Sequence, residues 1–151
     1  MDINEAAPVI SRDEILIDAP IETIWSIQTN VAAWPSWQPD VDSVEAEGPL
    51  EVRSVFRWQT AGLDITSTVE EIDPPHRIVW GGPAQGIVAV HVWSFESTDD
   101  GVLVRTAESW EGDPVTAQAE ALQGALDASL RAWLENLKRS AEAQSGIEAP
   151  E

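Results

Sequence analysis

The sequence predicts an α+β domain in which a curved, seven-stranded antiparallel sheet wraps one long C-terminal helix, with two short helices after the first strand. Three observations carry this. Apolar or small residues recur at Val115, Ala119, Leu122, Leu126, Leu130, Trp133 and Leu137, in steps of three or four that keep one stripe on one helix face. Between residues 41 and 110 the chain instead alternates with period two and is interrupted at regular intervals by Gly, Pro and Asp, the pattern of an antiparallel meander. The last interruption, Thr98-Asp99-Asp100-Gly101, places an Asp-Gly pair between two alternating runs, a strong hairpin signal.

The elements follow in order. Residues 1–8 read as a disordered leader, 9–143 as a single domain and 144–151 as a polar tail. The first strand, 9–18, contains Ile15-Leu16-Ile17 and ends at Ala19-Pro20, because proline cannot continue a ladder. Pro20 opens a short helix over 21–28 in which Ile21, Ile24, Trp25 and Gln28 share a face. Asn30 is an acceptable N-cap for a second short helix over 31–34, closed by Pro35. Trp34-Pro35-Ser36-Trp37-Gln38-Pro39 is then a stiff aromatic corner. Strands are predicted over 41–47, 52–59, 63–72, 77–80, 87–96 and 102–110, with Gly81-Gly82-Pro83 and Gly86 as a loop. Gly112-Asp113-Pro114 starts the final helix, 115–143, and Gln144-Ser145-Gly146 stops it. At ~1.5 Å per residue that helix runs roughly 43 Å.

The final hairpin fixes which residues share a face. With Asp100-Gly101 as the two-residue turn, Trp93 opposes Glu108 and His91 opposes Trp110; a four-residue turn slides the register by two and pairs His91 with Glu108. In both registers His91, Trp93, Phe95, Val104, Thr106, Glu108 and Trp110 lie on one face, since a slip of two leaves side-chain direction unchanged. That aromatic face is expected to look toward the long helix. Val88, Val90 and Val92 fall on the other face, where a covering segment or a dimer contact would account for them equally well.

Composition narrows the function classes. The chain has 151 residues and no cysteine, so one core-held domain is expected without disulfides. Its 27 acidic against 8 basic residues give a formal charge of −19, which repels phosphate backbones and anionic lipid surfaces. Neither nucleic acid nor membrane is expected as a partner. No apolar run approaches a membrane span and Met1-Asp2-Ile3-Asn4-Glu5 lacks the basic start of a signal peptide, so a cytoplasmic protein, monomer or homodimer, is expected. Eight tryptophans against two phenylalanines and no tyrosine suit either a core or an aromatic pocket.

The order of elements resembles a known family. Residues 17–25, Ile17-Asp18-Ala19-Pro20-Ile21-Glu22-Thr23-Ile24-Trp25, and the corner Trp34-Pro35-Ser36-Trp37-Gln38-Pro39 are similar to the opening of the START-like polyketide cyclase/dehydrase and lipid-transport superfamily (SRPBCC). Residues 69–80, from Val69-Glu70-Glu71 through Pro74-Pro75 to Trp80, extend the likeness, as do Trp93-Ser94-Phe95-Glu96 and Glu108-Ser109-Trp110-Glu111-Gly112. The resemblance implies the helix-grip fold, with a deep cavity between sheet and helix. It implies no single chemistry, because its members include lipid and hormone binders, aromatase/cyclases and co-chaperone-like domains.

The residues themselves offer one polar pair and one aromatic set. His91 beside Glu108 on an inward face is a candidate acid–base pair, or equally a buried histidine satisfied by a carboxylate that needs a partner inside. Trp34, Trp37, Trp58, Trp80, Trp93, Phe95, Trp110 and Trp133, with Leu122 and Leu126 and the hydroxyls of Ser67 and Thr106, are the expected ligand-binding residues. They would hold a hydrophobic, aromatic or polycyclic small molecule; the other reading is a core filled by the same rings. No metal-ligand spacing occurs among His76, His91 and the acidic residues, and no cofactor is expected. Two functions stay open, a polyketide cyclase or dehydratase and a non-catalytic carrier or sensor of a hydrophobic ligand.

Overall fold

The computed structural model describes residues 2–148; Met1 and the last three positions of the expected tail lie outside them. Seven antiparallel strands form one sheet: β1 (Val9–Ile17), β2 (Val41–Glu45), β3 (Val55–Thr60), β4 (Leu63–Asp73), β5 (Arg77–Ala84), β6 (Ile87–Thr98) and β7 (Gly101–Glu111). Their order is β1-β7-β6-β5-β4-β3-β2, so the first strand pairs with the last and the rest follow as hairpins. Helix α1 (Ile21–Thr29) and a 3-10 helix (Val31–Ser36) carry the chain from one edge strand to the other. Helices α2 (Asp113–Ala117) and α3 (Ala119–Glu148) close the fold. The main core lies between the sheet's inner face and α1 and α3, around Trp34, Phe56, Trp93, Leu134 and Leu137.

The expected stripe on the long helix faces the sheet: Val115, Leu126, Leu130, Trp133 and Leu137 are buried. Its boundaries differ. The helix breaks at Gln118, whose N–H bonds Val115 O while its own carbonyl accepts from Leu122 N. The stripe runs on across this break, so apolar spacing alone does not reveal it. At the other end the expected stop at Gln144-Ser145-Gly146 is overrun, the helix continuing to Glu148. One glycine costs a helix only about 1 kcal/mol and does not end it.

The polar side of α3 has its own task. Gln123 bonds both the carbonyl and the N–H of Ile10, at 2.7 and 3.3 Å. Arg131 donates to Glu14 O at 3.2 Å, Lys138 to Leu16 O at 3.0 Å, and Glu142 accepts from Asp18 N at 2.9 Å. These backbone groups belong to edge strand β1 and the residue following it. The helix thereby closes a sheet edge that would otherwise offer unpaired N–H and C=O groups.

Three further expectations need correction. Residues 2–7 are not a loose leader: Ile3 is 5% exposed and packs on Val79 and Val92, and Asn4 N–H donates to Ser109 Oγ at 3.0 Å. This segment covers the outer face, which explains Val90 and Val92 without a dimer; Val88 stays 43% exposed. Gly81 and Gly82 are not loop residues but lie within β5, opposite Val90 and Ala89. A Cβ on Gly81 would stand 2.4 Å from Ala89 O, so the close strand approach there needs glycine. Asn30 makes no side-chain cap bond, and Pro35 lies inside the 3-10 helix rather than after it.

Candidate functional site

The β6–β7 hairpin takes the shifted register. Thr98 pairs with Gly101 around the turn Asp99-Asp100, and His91 therefore stands opposite Glu108, Trp93 opposite Thr106 and Phe95 opposite Val104. Gly101 has φ +134°, outside the range that L side chains favour. All seven residues assigned to the aromatic face point inward or are half-buried beneath the helices.

The polar pair is real and enclosed. His91 Nδ1 lies 3.3 Å from Glu108 Oε1, and the two side chains are only 6% and 15% exposed. His91 Nε2 lies 2.8 Å from Thr106 Oγ1, which in turn donates to Val92 O at 3.2 Å. Because the threonine's single hydroxyl proton goes to that carbonyl, Nε2 must carry the imidazole proton and Nδ1 is the acceptor. Glu108 Oε2 accepts from Trp110 Nε1 at 2.8 Å. Burial penalises charge on both members, lowering His91 to about 3 and raising Glu108 to about 7, the latter opposed by the Trp110 hydrogen bond. Below neutrality Glu108 is then the protonated member, its Oε1 facing Nδ1 at 3.3 Å. Thr106 engages His91 Nε2, Glu108 lies within ion-pair distance of Nδ1, and the group that titrates near neutral pH is Glu108.

The aromatic set divides in two. Trp34 sits inside a ring of other aromatics, its centroid 4.9 Å from Trp133, 5.2 Å from Trp58, 5.5 Å from Trp80 and 5.6 Å from Phe56. Trp37 and Trp93 meet Trp133 from other sides at 5.7 and 6.1 Å, and Phe95 stacks edge-on against Trp25 at 5.6 Å. Ser67 accepts from Trp58 Nε1 at 3.0 Å, so its hydroxyl is engaged within the protein. Trp110, Leu122 and Leu126 belong instead to a second cluster with Val9, Val115 and Leu130. The space that the resemblance leads one to expect as a cavity at the centre of the first group is occupied by the indole of Trp34. A separate cleft of about 470 Å³, which Trp34 does not line, opens against α1 and the start of the 3-10 helix, lined by Trp25, Ser26, Asn30, Val31, Leu50 and Pro74 among others.

Two residues absent from the expected set belong here. Phe56 is 1% exposed and touches Trp34 and Trp80; it shares its strand face with Trp58, which alternation would have shown. Gln28 is fully buried, and neither its amide oxygen nor its nitrogen has a partner among the described residues. Trp93 Nε1, Trp37 Nε1 and Gln38 Nε2 are likewise buried without a partner. Natively buried donors seldom remain so.

The family model for polyketide cyclase/dehydrase and lipid transport matches residues 9–142. Solved structures share the fold. A hypothetical protein from Helicobacter pylori superposes with a TM-score of 0.82 at 21% identity, covering 92% of this chain and 91% of that one. The Zhui aromatase/cyclase from Streptomyces sp. R1128 gives 0.77 at 17%, over 90% and 94% of the two chains. A START superfamily protein from Mycobacterium smegmatis gives 0.76 at 17%, over 89% and 98%. No curated protein matches the sequence. The seven-stranded sheet gripping a C-terminal helix is thus the helix-grip fold, and the chain belongs to the polyketide cyclase/dehydrase and lipid transport family.

Proposed function

We propose that the chain binds a hydrophobic, oxygenated aromatic or polycyclic small molecule between the inner sheet face and α3, as a cytoplasmic carrier or sensor. The observation that carries this is Trp93 Nε1, a donor on a side chain at 0% exposure with no acceptor among the described residues; the Trp93 ring lies among other aromatics, its centroid 5.1 Å from that of His91. A core that is only a core gains nothing from an unpaired donor, whereas a ligand oxygen would satisfy it. The charge of −19 argues against nucleic acid and anionic lipid surfaces as partners. Among the described residues no helix is long and apolar enough to cross a membrane.

The test is titration with 2,6-dihydroxyanthraquinone at pH 6, read by tryptophan fluorescence. Saturable quenching at micromolar concentration is expected. Trp93→Phe, which keeps a ring and removes the donor, should weaken it about tenfold, the equivalent of one hydrogen bond; Trp25→Phe should leave it unchanged. Equal effects of the two substitutions would refute the reading, as would absence of saturable quenching both in the unmutated protein and in a folded Trp34→Ala.

One observation favours a second reading, a cyclase or dehydratase acting on such a molecule. Glu108 raised to about 7 is a proton donor matched to neutral pH. In that case Glu108→Gln should lower turnover by roughly 10²- to 10⁴-fold with affinity retained. Equal loss of affinity and turnover would count against it.

A further inference from the structure

We infer that Trp34 is a resident plug: its indole holds the place of the ligand, and the 3-10 helix that carries it moves aside to admit a planar aromatic of bicyclic size or larger. This rests on the binding function proposed above and adds how that site is closed and what shape it takes.

Four features of the closed arrangement converge on the segment around Trp34. First, the indole is held as a guest would be, with four rings meeting it at 4.9 to 5.6 Å and its Nε1–H donating to Gln28 O at 2.9 Å. A molecule replacing it would present a flat face to the same rings and a hydroxyl to the same carbonyl. Second, the carrier is slight, a six-residue 3-10 helix with Pro35 inside it, and the hydrogen-bond geometry of such helices is poorer than that of an α-helix. Its flanking residues Asn30 and Trp37 are both outside helical geometry, with φ and ψ of −82° and 73°, and −133° and −13°.

Third, the closed state is imperfect at this place in particular. Of six buried side-chain polar atoms without a partner among the described residues, four lie within residues 28–38: both amide atoms of Gln28, Trp37 Nε1 and Gln38 Nε2. A fifth, Trp93 Nε1, faces the same group of rings. Unpaired buried polar groups raise the free energy of the arrangement that buries them, so the closed plug is disfavoured relative to one in which water or ligand oxygen reaches them. Fourth, there is room to move. Asn30, Val31 and Ala32 of this segment line the cleft of about 470 Å³, so the plug has open space on its outer side.

The guest that fits is a fused planar aromatic carrying at least two oxygens, one hydroxyl to replace the indole N–H at Gln28 O and one acceptor for Trp93 Nε1. 2,6-Dihydroxyanthraquinone has this chemistry and serves as the probe. Protein labelled with 5-fluorotryptophan, with Trp34→Phe assigning its resonance, is observed by ¹⁹F NMR with and without saturating probe. The Trp34 signal should acquire the H₂O/D₂O isotope shift of an exposed indole in the complex. In stopped-flow mixing the observed rate should level off with rising probe concentration, at the rate of plug opening. Trp34→Ala should remove that ceiling and tighten probe binding at least tenfold, because the competing side chain is gone. Binding by this variant alone would support the plug as well.

A Trp34 resonance that stays buried in a saturated complex would overturn the proposal, as would weaker binding by a folded Trp34→Ala, while leaving the binding function intact. Should Trp34→Ala fail to fold, the ¹⁹F measurement on the unmutated protein decides alone. If neither the unmutated protein nor a folded Trp34→Ala binds the probe, both the plug and the binding function fall.

Discussion

The state of Glu108 can be tested without any ligand, through the pH dependence of stability. Its folded pKa of about 7 lies above the ordinary carboxylate value of 4.5. Folding therefore favours the protonated form, and the stability this group contributes is complete below about pH 4.5 and lost as pH rises through about 7. The rise from 4.5 to about 7 corresponds to about 3 kcal/mol over the whole range. Glu108→Gln reproduces the protonated acid: its amide can donate to His91 Nδ1 and accept from Trp110 Nε1, and it does not titrate. The His91 contribution runs the opposite way in both proteins, and the comparison largely cancels it. Relative to Glu108→Gln, the unmutated protein should lose about 2.5 kcal/mol between pH 5 and pH 8, most of it below pH 7. That window stays clear of the pI near 4.1. Urea unfolding followed by tryptophan fluorescence at half-unit steps measures it. Parallel curves for the two proteins would mean that Glu108 ionises in the fold as it does in water, and would remove the basis for both the neutral pair and a proton donor at neutral pH.

Other predictions follow from separate parts of the molecule. The imidazole of His91 should stay neutral between pH 5 and pH 8, because burial lowers its pKa to about 3; ring ¹⁵N shifts that move to those of an imidazolium with a midpoint near ~6.5 would place it in water. Ile3→Ala should cost about 2 kcal/mol, or roughly 4–8 °C in Tm, by undoing the contact with Val79 and Val92. An unchanged Tm would return residues 2–7 to the status of a loose leader. Arg131→Ala should cost only about 1 kcal/mol, since the side chain is 41% exposed, yet it should speed amide exchange at the β1 edge; unchanged exchange there would show that Arg131 does not guard it.

How much of this was legible in the sequence depended on what each signal encodes. Strands were readable because turn residues punctuate them, and the inner face of β6 and β7 was readable because a slip of two residues preserves it. The register itself was not, since Thr98-Asp99-Asp100-Gly101 offers two tight turns. Thr98 Oγ1 settles it by bonding Gly101 O at 2.7 Å and accepting from Asp100 N at 3.1 Å. Ile3 stands alone among polar neighbours and has no period, so its burial left no trace in the pattern. Gln123, Arg131, Lys138 and Glu142 look like an ordinary solvated helix face, because nothing local tells that a strand edge lies beneath them. The inward direction of the tryptophans was legible; whether they line a space or fill it was not, because that depends on how far the corner carrying Trp34 reaches toward α3.

The two edges of the sheet are treated differently, and the difference bears on where the fold can open. At β1 four side chains of α3 bond to main-chain groups of Ile10, Glu14, Leu16 and Asp18, and Asp13 adds two bonds to Arg131, at 2.9 and 2.5 Å. Separation of α3 from β1 would break all of these at once, so that side behaves as one rigid unit. At β2 the neighbouring element is the 3-10 helix, joined through the turn in which Val41 N donates to Gln38 O at 3.1 Å and Thr60 Oγ1 donates to Asp40 O at 2.6 Å. Both bonds involve residues after Ser36, and neither restrains Val31–Ser36 itself. Backbone bonds from Ala33 N to Asn30 O and from Trp37 N and Gln38 N to Trp34 O tie the segment to its own flanks, and the burial of Val31 and Trp34, with Trp34 Nε1 bonded to Gln28 O, seats it on the core. A ligand that supplies an equivalent ring and an equivalent donor replaces the two restraints that the Trp34 side chain provides, so the same interactions that close the site set the chemistry of what can open it.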